Sequence, residues 1–214
     1  MLKKKYLKIA QHYECCLGEH GDNHLGAGWN NEEDVNRRFK VMLELLAGDN
    51  SQKIKLLDFG CGTAHLYEYI KRNHFDRIAY SGSDISEKFI NVARKKYPGL
   101  EFYHTDILED SSALPVFDYV VMNGVFTQKR ELDFDEMFSF FARTIEAVFP
   151  KAKKGIAFNV MSKQVDWENE GNFYLSFDQL AQYLAAHISK KFVFRHDYGL
   201  YEYTAYVYKN NAGA

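Results

Sequence analysis

Three prolines, three cysteines, no long apolar run and no excess of either charge are the first marks of this chain. With so little proline there is no proline-rich linker at which to divide it, and 214 residues with 46% hydrophobic content fit one domain with a full core. Cys15 and Cys16 are adjacent and Cys61 stands apart, which gives neither a disulfide framework nor zinc-ligand spacing and suits a reducing compartment. No segment approaches the roughly 20 apolar residues of a membrane span. The basic cluster Lys3, Lys4, Lys5 and Lys8 leads into polar residues, not an apolar secretory segment, so the expectation is a cytoplasmic protein with no membrane partner. The net charge of −2, with both signs mixed, offers no field to hold a polyanion, and nucleic acid is not an expected partner. His12, His20 and His24 lack acidic or cysteine partners at ligand spacing, so no metal is expected.

What is there centres on Leu56 to Leu66. An apolar run from Ile54 ends at Asp58, Gly60 and Gly62 then permit a tight turn with close backbone approach, and a helix follows over Leu66 to Asn73. A dinucleotide-binding turn would ask for glycine at position 65, where the chain has His65. Ile78 to Ser83 reads as a second strand ending at Asp84, about twenty positions past the turn, where an acidic residue can accept from ribose hydroxyls. Ser86 caps the next helix, Pro98 and Gly99 stop it, and Leu100 to His104 is a third strand. Phe117 to Met122 forms a fourth strand ending at Asn123, Gly124 and Val125. Further on, the pattern gives a core-packing helix over Phe134 to Phe149 and a strand over Gly155 to Val160. A helix over Phe177 to Ala186 follows, with a Ser176/Gln179 capping box, and then two closing strands, Phe192 to Phe194 and Thr204 to Tyr208.

Asp58-x-Gly60-x-Gly62 resembles motif I of the class I S-adenosylmethionine-dependent methyltransferases, with Ala64 where a third glycine is usual. The resemblance implies an α/β Rossmann-like fold. In it a seven-stranded, mostly parallel sheet with an antiparallel last strand carries helices on both faces, a core over residues 49–214 and an N-terminal helical cap or lid over residues 1–48. It implies S-adenosylmethionine as cofactor and S-adenosylhomocysteine as product. The cofactor would be held by Asp58, Gly60, Cys61 and Gly62, by Asp84, Ile85 and Ser86, by Asp106 and Ile107 at the adenine, and by Asn123, Gly124 and Val125 around the methyl group. No Asn/Asp-Pro-Pro-Tyr/Phe motif follows the fourth strand, unlike enzymes that methylate adenine or a glutamine amide.

The stretch from Glu19 to Asn30 reads as a mobile loop leading into an amphipathic helix over Glu32 to Leu46. Gly28-Trp29-Asn30 with Arg37-Arg38-Phe39, and Arg195-His196-Asp197-Tyr198 with Leu200-Tyr201-Glu202-Tyr203-Thr204, are similar to signatures in a group of bacterial small-molecule methyltransferases. That likeness marks Trp29, Asn30, Arg38, Tyr201 and Tyr203 as substrate or lid residues. A hydroxyl acceptor would need a general base, for which His20, His24, His196 and Asp197 are candidates. The expected function is methyl transfer to an oxygen or nitrogen of a small polar metabolite, with a sugar or nucleotide-linked compound among the possibilities. An RNA or protein methyltransferase, a cofactor binder without catalysis and a dehydrogenase tolerating His65 are the competing readings; oligomeric state is open.

Overall fold

The computed structural model describes residues 4–210; Lys3 of the basic cluster lies outside them. Eight strands form one sheet: β1 (Ile54–Phe59), β2 (Ile78–Asp84), β3 (Glu101–His104), β4 (Phe117–Phe126), β5 (Ala152–Ser162), β6 (Tyr174–Leu175), β7 (Phe192–Arg195) and β8 (Glu202–Tyr208). Their order is β3-β2-β1-β4-β5-β8-β7, with the two-residue β6 beside the end of β5. Pairings among β1 to β6 are parallel, and β8 lies antiparallel to both β5 and β7. The strand order reverses between β1 and β4, the place where an open α/β sheet leaves a crevice at its carboxyl edge.

Successive strand residues point to opposite faces, which divides the core in two. Leu57, Val120, Ile156 and Tyr203 share one cluster with α5 (Phe134–Val148) and α6 (Phe177–His187), while Leu56, Val121, Ala157 and Tyr206 share the other with α2 (Glu32–Leu43), α3 (His65–Arg72) and α4 (Glu87–Lys96). Asn31 caps α2 by accepting from the Glu33 and Asp34 amides. Ser86 caps α4, and a reciprocal Asp133/Glu136 capping box opens α5. At Ser176 only half of the expected box forms, because the serine hydroxyl accepts from the Gln179 amide and itself donates to Gln179 Oε1.

The sequence pattern carries no clear sign of α1 (Leu7–His20), which buries Ile9 alone, has no side-chain cap and crosses the open side of the crevice. The helix expected to run through Leu46 ends at Leu43 and tightens into a 3₁₀ turn over Glu44–Leu46. β4 outruns its expected end at Met122 because a register shift between Met122 and Phe126 lets the strand continue past Gly124. The Glu19 to Asn30 stretch is knit together where Asn23 Oδ1 accepts from the amides of Leu25 and Gly26, and the Trp29 amide donates to the His24 carbonyl at 2.8 Å.

Phe141 sits wholly buried at the hub of an aromatic cluster, with ring centroids 5.0 Å from Phe126 and 5.4 Å from Phe158. Phe141→Ala is expected to cost about 3–5 kcal/mol, read as a lowered urea midpoint with an unchanged denaturant slope.

Candidate active site

After Asp58 the chain reverses through Gly60 and Gly62, at φ 76° and 54°. A Cβ on Gly60 would stand 2.6 Å from Val125 Cγ2, so this position needs both glycine's backbone freedom and its lack of a side chain. The amides of Gly60 and Cys61 donate to the Ser83 carbonyl at 2.7 and 2.9 Å, which ties the turn to the end of β2. The Gly62 amide donates to Asp84 Oδ2 at 2.9 Å and the Ser86 amide to Asp84 Oδ1 at 2.8 Å. Ala64 occupies the third-glycine position at φ 69°, a left-handed conformation that costs a residue with a Cβ about 1–2 kcal/mol.

The turn, Asp84, Ile85, Ser86 and the segment Asn123 to Val125 bound a cavity of about 160 Å³, closed on its open side by Tyr6, Ile9, Ala10 and Tyr13. Latches hold α1 and the segment after it across this cavity: the Tyr6 hydroxyl donates to Asp106 Oδ2 at 2.7 Å, Ser86 Oγ donates to Glu14 Oε1 at 2.6 Å, and Asp22 pairs with His65 and Lys96. Asp58 is buried at the cavity's base and accepts from the Tyr80 hydroxyl at 2.8 Å. Burial, reinforced by the neighbouring Asp84 carboxylate, pushes its pKa up to about 7 against the opposing Tyr80 hydrogen bond. Burial likewise pushes the Cys61 thiol well up, so it stays neutral and serves as wall.

At the end of β4, Gly124 lies at φ 81° with the Trp29 indole where a Cβ would otherwise be, 2.6 Å from that position. The Gly124 amide donates to Asn159 Oδ1 at 2.7 Å, and Asn159 Nδ2 donates to Glu202 Oε1 at 2.7 Å. Arg38 Nε donates to both Glu202 oxygens at 2.9 Å, and its guanidinium lies 4.3 Å from the centre of the Trp29 ring. Trp29 is a shared wall: beyond it lies a second cavity of about 210 Å³, lined by Asn30, Asp34, Arg38, Gln128, Asn172 and Glu202 among others. Asn123 Oδ1 is buried with no hydrogen-bond partner among the described residues, on a residue that lines the first cavity.

The expected site residues therefore divide. Asp58, Gly60, Cys61, Gly62, Asp84, Ile85, Ser86, Asn123, Gly124 and Val125 converge on the first cavity, and Trp29, Asn30 and Arg38 on the second. Asp106 and Ile107 are absent from both walls, since Tyr6 and the Leu108 amide engage the carboxylate and Ile107 packs in the core. Tyr203 is no substrate contact: it is fully buried and its hydroxyl donates to the Leu175 carbonyl. Tyr201 projects into solvent. None of the four base candidates lines either of these two cavities. His20 ends α1, and His24 sits in the Asn23 turn. His196 packs edge-on against Phe177, while Asp197 pairs with Arg195. The carboxylates on the second wall are Asp34 and Glu202. Sequence reasoning passed over Glu202, Asn159 and Tyr6. The signal for Glu202 was a lone charge opening the apolar strand Tyr203 to Val207.

Held near 7 when folded against about 3.9 when unfolded, Asp58 keeps its proton longer in the native state. Its contribution to stability is full below pH 4 and lost as pH rises to 7. Asp58→Asn, which still accepts from Tyr80 and cannot ionise, is expected to match wild type near pH 4. At pH 8, without cofactor, it should exceed wild type by roughly 2–4 kcal/mol in urea melts. Arg38→Ala leaves the Glu202 carboxylate buried, at 2% side-chain exposure, without its countercharge. The expected loss is about 3–5 kcal/mol by the same measurement.

Residues 57–148 match the family described as methyltransferase domain. A Mycobacterium tuberculosis protein named as a candidate methyltransferase is 25% identical over 154 residues, covering 71% of this chain and 91% of that protein. Magnesium protoporphyrin IX methyltransferase of Synechocystis, solved with bound S-adenosylmethionine, superposes with a TM-score of 0.66 at 15% identity over 98% of this chain and 99% of that one. The plantazolicin methyltransferase, in complex with a monoazolic desmethyl analogue and S-adenosylhomocysteine, gives 0.63 at 16% identity over 97% and 96%. At such identities the structural likeness speaks for the fold, whereas the domain match spans the glycine turn, Asp84 and the end of β4. Turn, sheet order and domain match agree: residues 57–148 form a methyltransferase domain, set in the fold that these S-adenosylmethionine-dependent methyltransferases share.

Proposed function

We propose that this enzyme methylates an oxygen or nitrogen of a small polar metabolite, in the class of sugars or nucleotide-linked compounds. The observation that carries the proposal is the pair of cavities that share Trp29 as a lining residue, one walled by the glycine turn and Asp84, the other polar and about 210 Å³ in volume. A cavity of that size under an N-terminal cover suits a small acceptor.

The residues of the first cavity fit the cofactor. The bare Gly60 and Gly62 backbone leaves room for the methionine moiety, and the Asp84 carboxylate, braced by two amides, keeps lone pairs for the ribose hydroxyls. The orphaned Asn123 Oδ1 is an acceptor awaiting an N–H donor, and Asp58 adds a carboxylate that a cationic ligand would ionise. When bound, S-adenosylmethionine supplies a methyl carbon already made electrophilic by its sulfonium. The chain's own work is then to hold the acceptor in line, which Trp29 and the β4 end can do from a fixed wall, and to exclude water, for which Ile9, Tyr13 and Trp29 provide apolar cover. An amine acceptor needs only to be neutral; a hydroxyl must lose a proton, and Asp34 and Glu202 are the carboxylates on the acceptor side.

Labelled methyl from S-adenosylmethionine, added with the enzyme to a cell extract split by size, is expected in the small-molecule fraction. Label confined to macromolecules would overturn the acceptor class. Asp84→Ala is expected to weaken S-adenosylhomocysteine binding by at least about a hundredfold in calorimetry, and undiminished affinity would refute the ribose assignment.

A further inference from the structure

We propose that the cavity behind Trp29 seats the methyl acceptor and selects an uncharged, hydroxyl-rich molecule of sugar type. The inference rests on the methyl-transfer reading of the neighbouring cavity and adds to it the charge and chemistry of the acceptor.

Charge comes first. Arg38 is the one cation among the residues lining this cavity, and Glu202 neutralises it at 2.9 Å from both carboxylate oxygens. Asp34, also in the wall, has Arg37 at 3.5 Å on its outer side. A phosphate or carboxylate entering the cavity finds no unpaired cation among its lining residues, Arg130 being held on Gln128 outside the wall, and meets two carboxylates, so anionic acceptors are disfavoured there.

The remaining polar groups are amides. Gln128 Oε1 accepts from Arg130 at 3.3 Å, which leaves its NH₂ free to donate, while Asn172 Nδ2 donates to the Tyr174 hydroxyl at 3.4 Å, which leaves its carbonyl free to accept. A backbone bridge between Gln128 and Asn172 fixes the two side by side. One donor beside one acceptor is the complement of a hydroxyl, or of adjacent ring hydroxyls, each of which both accepts and donates. Asn30 offers a further amide on the same wall.

Two exposed aromatics stand on segments whose ends line this cavity. Trp167, 74% exposed, lies on the loop between the lining residues Met161 and Asn172, and Tyr201, 68% exposed, immediately precedes Glu202. The Ser162 amide donates to the Tyr201 carbonyl at 2.9 Å, so the two loops meet. Large aromatic faces left in water on segments that end in lining residues suit the apolar C–H face of a sugar ring, whose hydroxyls then turn to the amides.

The chain has two tryptophans, Trp29 and Trp167, and both report on this region. With each replaced biosynthetically by a fluorinated analogue, fluorine NMR gives two resonances, assigned with Trp167→Phe. S-adenosylhomocysteine is expected to shift the Trp29 resonance. Added to the loaded protein at millimolar concentration, at least one of N-acetylglucosamine, glucose and rhamnose is expected to shift both resonances. Glucose phosphate should require at least about tenfold more ligand for the same response. In the double variant Gln128→Leu/Asn172→Leu the neutral-sugar affinity should fall at least about tenfold while the S-adenosylhomocysteine response persists, which certifies the fold. A cofactor response with no response to any neutral sugar, with tighter binding of glucose phosphate, or with an undiminished sugar response in the variant overturns this inference and leaves the methyl-transfer reading standing. Absence of the S-adenosylhomocysteine response overturns both.

Discussion

The site is organised around a carboxylate taken almost completely out of water. Glu202 opens the antiparallel strand β8 with 2% of its side chain exposed, a placement that would cost several kcal/mol if its charge were not met. Arg38 meets it from α2 and Asn159 from β5, so three separate segments are held at one point. Burial raises the Glu202 pKa, and Arg38 and Asn159 oppose that rise. From this point the constraint spreads through both ends of the chain. Asn159 passes it to the Gly124 amide, and Arg38 passes it to the Trp29 ring, which in turn rests on Gly124. The N-terminal segment is thereby fastened to the sheet by polar bonds whose loss would leave a buried charge, and Trp29, which lines both cavities, inherits that rigidity.

The glycine turn depends on a second economy of backbone groups. Two consecutive amides share the Ser83 carbonyl, and a third goes to Asp84, so the turn is satisfied from within before any ligand arrives. What remains unsatisfied is confined and points to chemistry. Asn123 Oδ1 lacks a partner among the described residues, and Asp58 carries a pKa near 7 because only Tyr80 compensates its burial. A cationic ligand beside Asp58 would favour the ionised carboxylate. A dinucleotide would bring negative charge to the same place, which is the electrostatic counterpart of finding His65 where a third glycine would serve a pyrophosphate.

Much of this was legible in the sequence because it lay in local patterns. The apolar run into Asp58, the paired glycines and the acid closing β2 each depend on residues close in sequence, and the structure brings them to one cavity. Three kinds of feature were not legible. α1 lacks a side-chain cap and was not delimited from the sequence, and its place across the crevice is held by tertiary bonds such as Tyr6 to Asp106, a separation of 100 residues. The Arg38 to Glu202 pair spans 164 residues and has no local signature beyond a charge inside an apolar strand. Tyr203 was misread as a substrate contact because strand alternation places it near the signature residues without saying which face is the core, and its face proves to be the core. The four base candidates lie off both cavity walls for a related reason: proximity in sequence to an expected lid says nothing about where a ring or carboxylate points.

The two sides of the second cavity differ in a way that bears on catalysis. One wall is built from Trp29, from Thr127 just past β4 and from Glu202 on β8, all fixed by bonds to buried strands. The other includes Met161 and Asn172, the two ends of a loop whose Trp167 stands in water. Methyl displacement gains most from holding the nucleophile at a fixed distance and angle, because misplacement by about an ångström can forfeit a hundredfold in rate. The rigid wall adjoins the cofactor cavity and can set that geometry, whereas the loops face outward and can vary with the acceptor's remaining bulk. Groups on the strand side would accordingly govern turnover, and groups on the loop side would govern which molecule is bound.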